Sequence, residues 1–193
     1  MACRLTIALI LSSVCLAAPA WAGVEEAADA IDRSDYATAL KELQPLADEG
    51  QREAQYLVGT FYYGGLGVPQ DYQKAMQWFQ LAAEQGMPMA RYTLGTMYAM
   101  GRGTTPDNKL AIKWFRPAAE QGHALSMAGL GSMYEYGKGV PQDYVLAHMW
   151  FNLAGASGDN DSLEIRDSIA YKMTPAQIAE AQRLAREWKP KTP

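Results

Sequence analysis

Cysteine and histidine are scarce in this sequence. Its 193 residues hold two cysteines, Cys3 and Cys15, and two histidines, His123 and His148. Both cysteines fall in an N-terminal segment that reads as a cleaved leader. The remainder then has no disulfide scaffold, no thiol nucleophile and no cysteine-ligated metal. The histidines sit at different phases of the repeat described below and have no cysteine beside them. That speaks against a metal site and leaves a Ser-His-Asp arrangement little to draw on, so both are expected in surface or packing roles. Gly-x-Ser-x-Gly, His-Glu-x-x-His and Gly-Lys-Ser/Thr are all missing, so the common hydrolase, zinc-protease and phosphate-loop signatures are absent too. Basic charge is also in short supply. Lys plus Arg is 17 against 21 for Asp plus Glu, a net charge of -4 with a pI near 5.2, the opposite of the basic stripe that nucleic acid requires. What is there is an ordinary soluble composition, 49% hydrophobic and 20% charged, not that of a disordered tail, a collagen or a multi-span membrane protein.

The first residues read as an address. Arg4 supplies a basic start, Leu5 to Leu16 is apolar and uncharged, and Ala20-Trp21-Ala22 presents the small-x-small pattern that signal peptidase reads. Cleavage is expected between Ala22 and Gly23. The apolar stretch is short for a bilayer span, which needs about 20 apolar residues. The expectation is therefore a periplasmic or secreted chain with no stable membrane insertion after cleavage.

A repeat of 36 residues organises the rest. Gly50, Gly86, Gly122 and Gly158 fall at that interval. So do Gly59, Gly95 and Gly131; Tyr62, Tyr98 and Tyr134; Gly65, Gly101 and Gly137; and Gly67, Gly103 and Gly139. The second half of the unit repeats Asp71, Asp107 and Asp143, then Ala75, Ala111 and Ala147, Trp78-Phe79, Trp114-Phe115 and Trp150-Phe151, and Ala82, Ala118 and Ala154. A period in this range means stacked supersecondary units, none of which buries its apolar face alone.

Each unit reads as two helices. Ala54, Leu57, Val58 and Phe61 share one helical face, and Ala75, Trp78, Phe79 and Ala82 repeat that spacing. Gly65-Leu66-Gly67-Val68-Pro69 stops the first helix and turns the chain. Asp71 sits near the start of the second helix, where its charge suits the dipole, and the glycines of the Gly50 column cap the second helices. Gly59, Gly95 and Gly131 lie inside first helices, a costly place unless close packing demands them. Pro45 and Pro117 share a column inside second helices and are expected to kink them. No stretch alternates with period two, so no sheet is expected.

The boundaries follow. Residues 1–22 are the leader, and 23–49 form N-terminal capping helices of a degenerate repeat. Three repeats span 50–85, 86–121 and 122–158, and 159–193 hold capping helices and a tail. A helix is expected over Ser162 to Tyr171. Thr174, Pro175 and Gln177 then spell a capping box for a last helix. Its apolar stripe, Ile178, Ala181, Leu184, Ala185 and Trp188, suits a terminal lid.

The unit from Ala54 to Gly86, with Gly59, Tyr62, Gly65, Gly67, Asp71, Ala75, Trp78-Phe79 and Ala82 at its marked columns, resembles a Sel1-like repeat, the longer relative of the tetratricopeptide repeat. The resemblance covers Asp35 to Gly158. It implies an all-α, right-handed superhelical solenoid of antiparallel helix pairs whose first helices line a concave side. It also implies a role as an adaptor in protein complexes, with some members regulating periplasmic signalling and others acting in host contact. A secreted, cysteine-rich branch reported to bind penicillins staples each repeat with a disulfide, and this chain lacks those cysteines.

No catalytic constellation is found, no cofactor or metal is called for, and the chain is not expected to be an enzyme. The Gly-x-Gly pairs recur once per repeat and follow no strand, so they read as structural. The tryptophans of the Trp78 column share the packing face and read as core. Glu84, Glu120 and Asp143 occupy repeat positions, a weak basis for a carboxylate pair. Binding is instead expected on the other side of the first helices, where columns stop repeating. These are Tyr56, Thr60 and Tyr63 in the first unit, Tyr92 and Thr96 in the second, and Ser132 and Glu135 in the third. Tyrosine there suits a protein interface, and filling gaps between neighbouring helices is the competing role. The expected function is a protein–protein interaction module, an adaptor or regulator of an envelope complex or signalling protein, whose partner is another protein or peptide. A second copy is also a candidate partner. The alternative is a cell-wall-active protein, binding β-lactam or peptidoglycan or hydrolysing the wall.

Overall fold

The computed structural model describes residues 22–191, with side chains from Glu25 onward. The segment expected to be a leader, with its two cysteines, lies outside the described residues, apart from Ala22 at the edge. Among the described residues the chain is helix and connection only, with no strand. It forms two compact units, one ending at Gln85 and the other starting at Gly86.

The first unit holds α1 (Ala22–Asp32), α2 (Tyr36–Asp48), α3 (Arg52–Gly64) and α4 (Tyr72–Glu84). α1 packs on α2, α2 on α3, and α3 on α4. The stripe Ala54, Leu57, Val58 and Phe61 is buried as its spacing requires, against Ala39, Leu43 and Ala47 of α2 and Ala27, Ala30 and Ile31 of α1. The second unit holds α5 (Pro88–Met100), α6 (Asn108–Glu120), α7 (Ala124–Tyr136), α8 (Tyr144–Ala156), α9 (Asn160–Ala170) and α10 (Pro175–Glu187). There α5 pairs with α6, α7 with α8, α6 packs on α7, and α8 carries both α9 and α10.

The connections are built alike because the same residues recur. Gly65, Gly101 and Gly137 take the left-handed conformation that ends a first helix, their N–H groups bonding Phe61, Met97 and Met133 carbonyls. The chain then folds back. Asp71, Asp107 and Asp143 N–H groups bond the carbonyls of Tyr62, Tyr98 and Tyr134 at 2.9, 2.8 and 3.0 Å. Each of these aspartates, and Asp35 before them, is the N-cap of a second helix, accepting from a backbone N–H two or three residues on. Their role is thus a direct hydrogen bond as well as a favourable charge.

The glycines inside the first helices are there for their partners. A Cβ at Gly59 would stand 2.8 Å from the Phe79 ring, at Gly95 2.5 Å from Phe115, and at Gly131 3.0 Å from Phe151. Each repeat therefore seats the phenylalanine of its Trp-Phe pair directly on helix backbone. The tryptophans beside them are less uniform. Trp150 is buried, whereas Trp78 and Trp114 are half-buried. Both interior prolines sit in helices that continue past them, Pro45 in α2 and Pro117 in α6. Each lies in the last turns, where one missing N–H removes a single hydrogen bond without ending the helix.

The last helix starts at the cap its sequence spells. Its capping box is formed, with Thr174 N–H to Gln177 Oε1 at 2.8 Å and Gln177 N–H to Thr174 Oγ1 at 3.3 Å. It packs chiefly on α8, not on α9 beside it in sequence. Leu184, Ala185 and Trp188 lie against the cluster that contains Met149, Trp150 and Leu153.

Candidate interaction surface

The first helices position the seven residues singled out for binding; Tyr56 and Glu135 are buried there, and the other five are half-buried. In the first unit Tyr56 is 6% exposed, its ring 5.3 Å from that of Phe79. Tyr63 is half-buried, with ring centroids 6.2 Å from Phe79 and 5.3 Å from Tyr72. Tyr56, Gly59 and Tyr63 fall on one helical face, and Phe79 seats on the glycine between the two tyrosine rings. The expected outward face is in this part a socket for the repeat's own phenylalanine. Thr60, half-buried, donates its hydroxyl to the Tyr56 carbonyl at 3.0 Å.

The second unit repeats the arrangement with other residues. Tyr92, half-buried, lies 5.9 Å from Phe115 and 5.6 Å from the His123 ring. Thr96 donates to the Tyr92 carbonyl at 3.0 Å, as Thr60 does to Tyr56. In the last repeat the tyrosine positions have become Ala128 and Glu135. Ala128 packs against the Phe151 cluster. Glu135 is buried too, with Lys172 Nζ 3.8 Å from its carboxylate and Gln142 Nε2 donating to its backbone carbonyl at 2.7 Å. Glu135 therefore ties α7 to the segment after α9 and presents little surface to a partner. Thr60, Thr96 and Ser132, which share a column, remain half-buried and partly open.

Exposed apolar side chains lie elsewhere. Met100 and Tyr136 end α5 and α7 and are 60% and 63% exposed. They share a column with Gly64, so the test of a column that stops repeating finds them once it is carried to the helix ends. Lys138 Nζ lies 5.5 Å from the Tyr136 ring centroid, within the range of a cation–π contact.

The histidines hold structural positions. His123 is the N-cap of α7, Nδ1 accepting from Ser126 N–H at 3.3 Å and lying 2.9 Å from the Ser126 hydroxyl. His148 is buried within α8, and its Nδ1 has no hydrogen-bond partner. Burial lowers the pKa of both, and at His148 the Arg166 charge adds to this while Asp167 opposes it. An unfolded histidine, near 6.5, then binds protons more readily than the folded one. The stability these groups contribute is complete above 6.5 and falls as pH drops from there toward the lowered folded values. Urea midpoints recorded between pH 7.5 and 5 should fall across that window, and His148→Gln should flatten the slope. An unchanged slope in that variant would remove His148 from the account.

Among the described residues no helix is long and apolar enough to cross a membrane. The Sel1 repeat family model matches residues 52–87, 88–123 and 124–159, in phase with the three helix pairs. Among solved structures the chain is similar to c5321, a protective antigen present in uropathogenic Escherichia coli strains and displaying an SLR fold. Identity is 34% and the TM-score 0.73, over 78% of this chain and 32% of that one. It is similar as well to a Sel1 repeat protein from Oxalobacter formigenes, at 34% identity and a TM-score of 0.67, over 75% of this chain and 58% of the other. The chain thus spans less than two thirds of either relative. No curated protein sequence matches it. With three matched repeats, the glycine–phenylalanine seat in each and two solved relatives of the same all-helical architecture, the chain belongs to the Sel1 repeat family.

Proposed function

We propose that the chain is an envelope protein, exported to the periplasm or beyond, that binds another protein or peptide and performs no chemistry of its own. Sel1 repeat proteins are in general protein–protein interaction modules, and this chain's residues suit that use. The observation that carries the reading is the pair Met100 and Tyr136. In a repeat that keeps Phe79, Phe115 and Phe151 at one core column, the exposed ends of α5 and α7 carry large apolar side chains where α3 has Gly64. Exposed aromatic side chains on rigid helices lose little conformational freedom when covered, and methionine adapts its shape to a partner, which is why interfaces favour both. The open edges of the Thr96–Ser132 column and Tyr92 extend that surface in the second unit, and Thr60 and Tyr63 offer a similar edge in the first.

The test is a photo-crosslinker placed at Tyr136 in the native host, followed by mass spectrometry of the envelope adducts. One dominant protein adduct is expected, reduced at least several-fold by Met100→Ser and by a Thr96→Arg, Ser132→Arg double substitution. No protein adduct, together with saturable binding of peptidoglycan fragments or a β-lactam, would replace this reading with the cell-wall one.

A further inference from the structure

We propose that the face of α8 covered by α10 is an exchangeable helix-docking surface, and that a second copy of this chain can fill it with its own α10. The two chains would then trade C-terminal helices.

Three observations lead there. First, α10 is held as a helix by contacts inside itself. The Thr174–Gln177 box, Pro175 in its first turn and the bridges from Arg183 to Glu180 and Glu187 are all local. They travel with the helix when it leaves its seat and favour its helical form there. Second, the seat is narrow. Ala181 is the one fully buried residue of α10, and Leu184, Ala185 and Trp188 are half-buried. The Trp188 ring meets Trp150 edge-on at 6.4 Å, and beyond it Lys191 latches onto the end of α6, its N–H 2.7 Å from the Glu120 carbonyl and its Nζ 3.1 Å from the Glu120 carboxylate. The contact therefore runs onto two helices that belong to earlier repeats, not onto α9.

Third, the break point is well defined. Lys172 and Met173 stay with the body, through Lys172 to Glu135 and the Tyr144 ring and through Met173 to the Phe151 cluster. Tyr171, beside them, is 93% exposed and would not obstruct a swing. Thr174, extended at φ -76° and ψ 157° as the following proline demands, is the point at which the direction of α10 is set. A small rotation there sends α10 outward with its apolar stripe intact. The helix that fits the vacated face best is one of identical sequence, and a reciprocal exchange closes on itself as a two-fold dimer that regains every contact.

The experiment uses the full chain in a Cys3→Ser, Cys15→Ser background. One population carries Glu120→Cys and the other Lys191→Cys, mixed at high concentration and then oxidised. Exchange predicts an interchain disulfide between the two populations, several-fold more abundant than with Glu187→Cys in place of Lys191→Cys. It also predicts that dilution before oxidation reduces the product. Covalent dimer formed equally with the Glu187→Cys control would mean unspecific collision and overturn the proposal. So would monomer alone at every concentration, provided that a single chain bearing both Glu120→Cys and Lys191→Cys closes its internal bridge and so shows the latch geometry to be intact.

Discussion

Phe115→Ala is expected to cost about 3–5 kcal/mol of stability, the range for emptying a buried aromatic site that cannot collapse. Phe115 is 3% exposed and its ring is seated against two glycines, Gly95 of α5 and Gly129 of α7, with Tyr92 at its side. Glycine has no side chain to move into the void, so the cavity stays. The same geometry reverses the sign of a second substitution. In the natural chain Gly95→Ala should destabilise by about 1–3 kcal/mol, since its Cβ meets the ring at 2.5 Å. In the Phe115→Ala background the ring is gone, and the same change should be neutral or stabilising by up to ~1 kcal/mol through helix propensity. Urea denaturation of the four proteins of this cycle measures the coupling. Additive effects would mean that Gly95 does not exist for Phe115.

Gly139→Ala should be among the most damaging small changes in the connections, at about 2–4 kcal/mol from left-handed strain together with overpacking. Its φ is +74°, and a Cβ there would stand 2.8 Å from the carbonyl carbon and oxygen of Asn108, the first residue of α6. Backbone at a helix start cannot swing aside as a side-chain end can. Gly67 meets Tyr36 and Ala37 at the start of α2 in the same way, at 2.7 Å. Gly122 is the control. Its φ is also positive, +91°, but nothing lies within 4 Å of its Cβ position, so Gly122→Ala should carry the conformational cost alone, about 1–2 kcal/mol. Equal loss of thermal stability in the two variants would show that the contact with Asn108 contributes nothing.

Much of this architecture was legible before any coordinates. Ala54, Leu57, Val58 and Phe61 declare a helical face by spacing alone, and all four are buried. Thr174, Pro175 and Gln177 declare a helix start through a local hydrogen-bond pattern that needs no partner from elsewhere. The cost of glycine in a helix was enough to imply that Gly59, Gly95 and Gly131 face something close. The candidate binding columns were less legible. Tyr56 and Tyr63 lie off the main apolar stripe, so periodicity assigned them to the outside. The Gly59 that separates them admits Phe79 to that side, and so they became its walls. Glu135 looked like a surface acid because the lysine that pairs with it, Lys172, lies beyond α9.

The sequence by itself determined the helix pairs, their lengths and their stops, because periodicity, caps and positive-φ glycines act within a few residues of chain. It also determined membership in a repeat family, since a pattern that returns in phase three times carries its own register. The tertiary structure alone decided which side of each first helix remained open, that α10 turns back onto α8 instead of extending the array, and that Lys191 closes over Glu120. Those outcomes depend on how near two backbones approach and which distant side chain arrives first, and no local pattern along the chain encodes either.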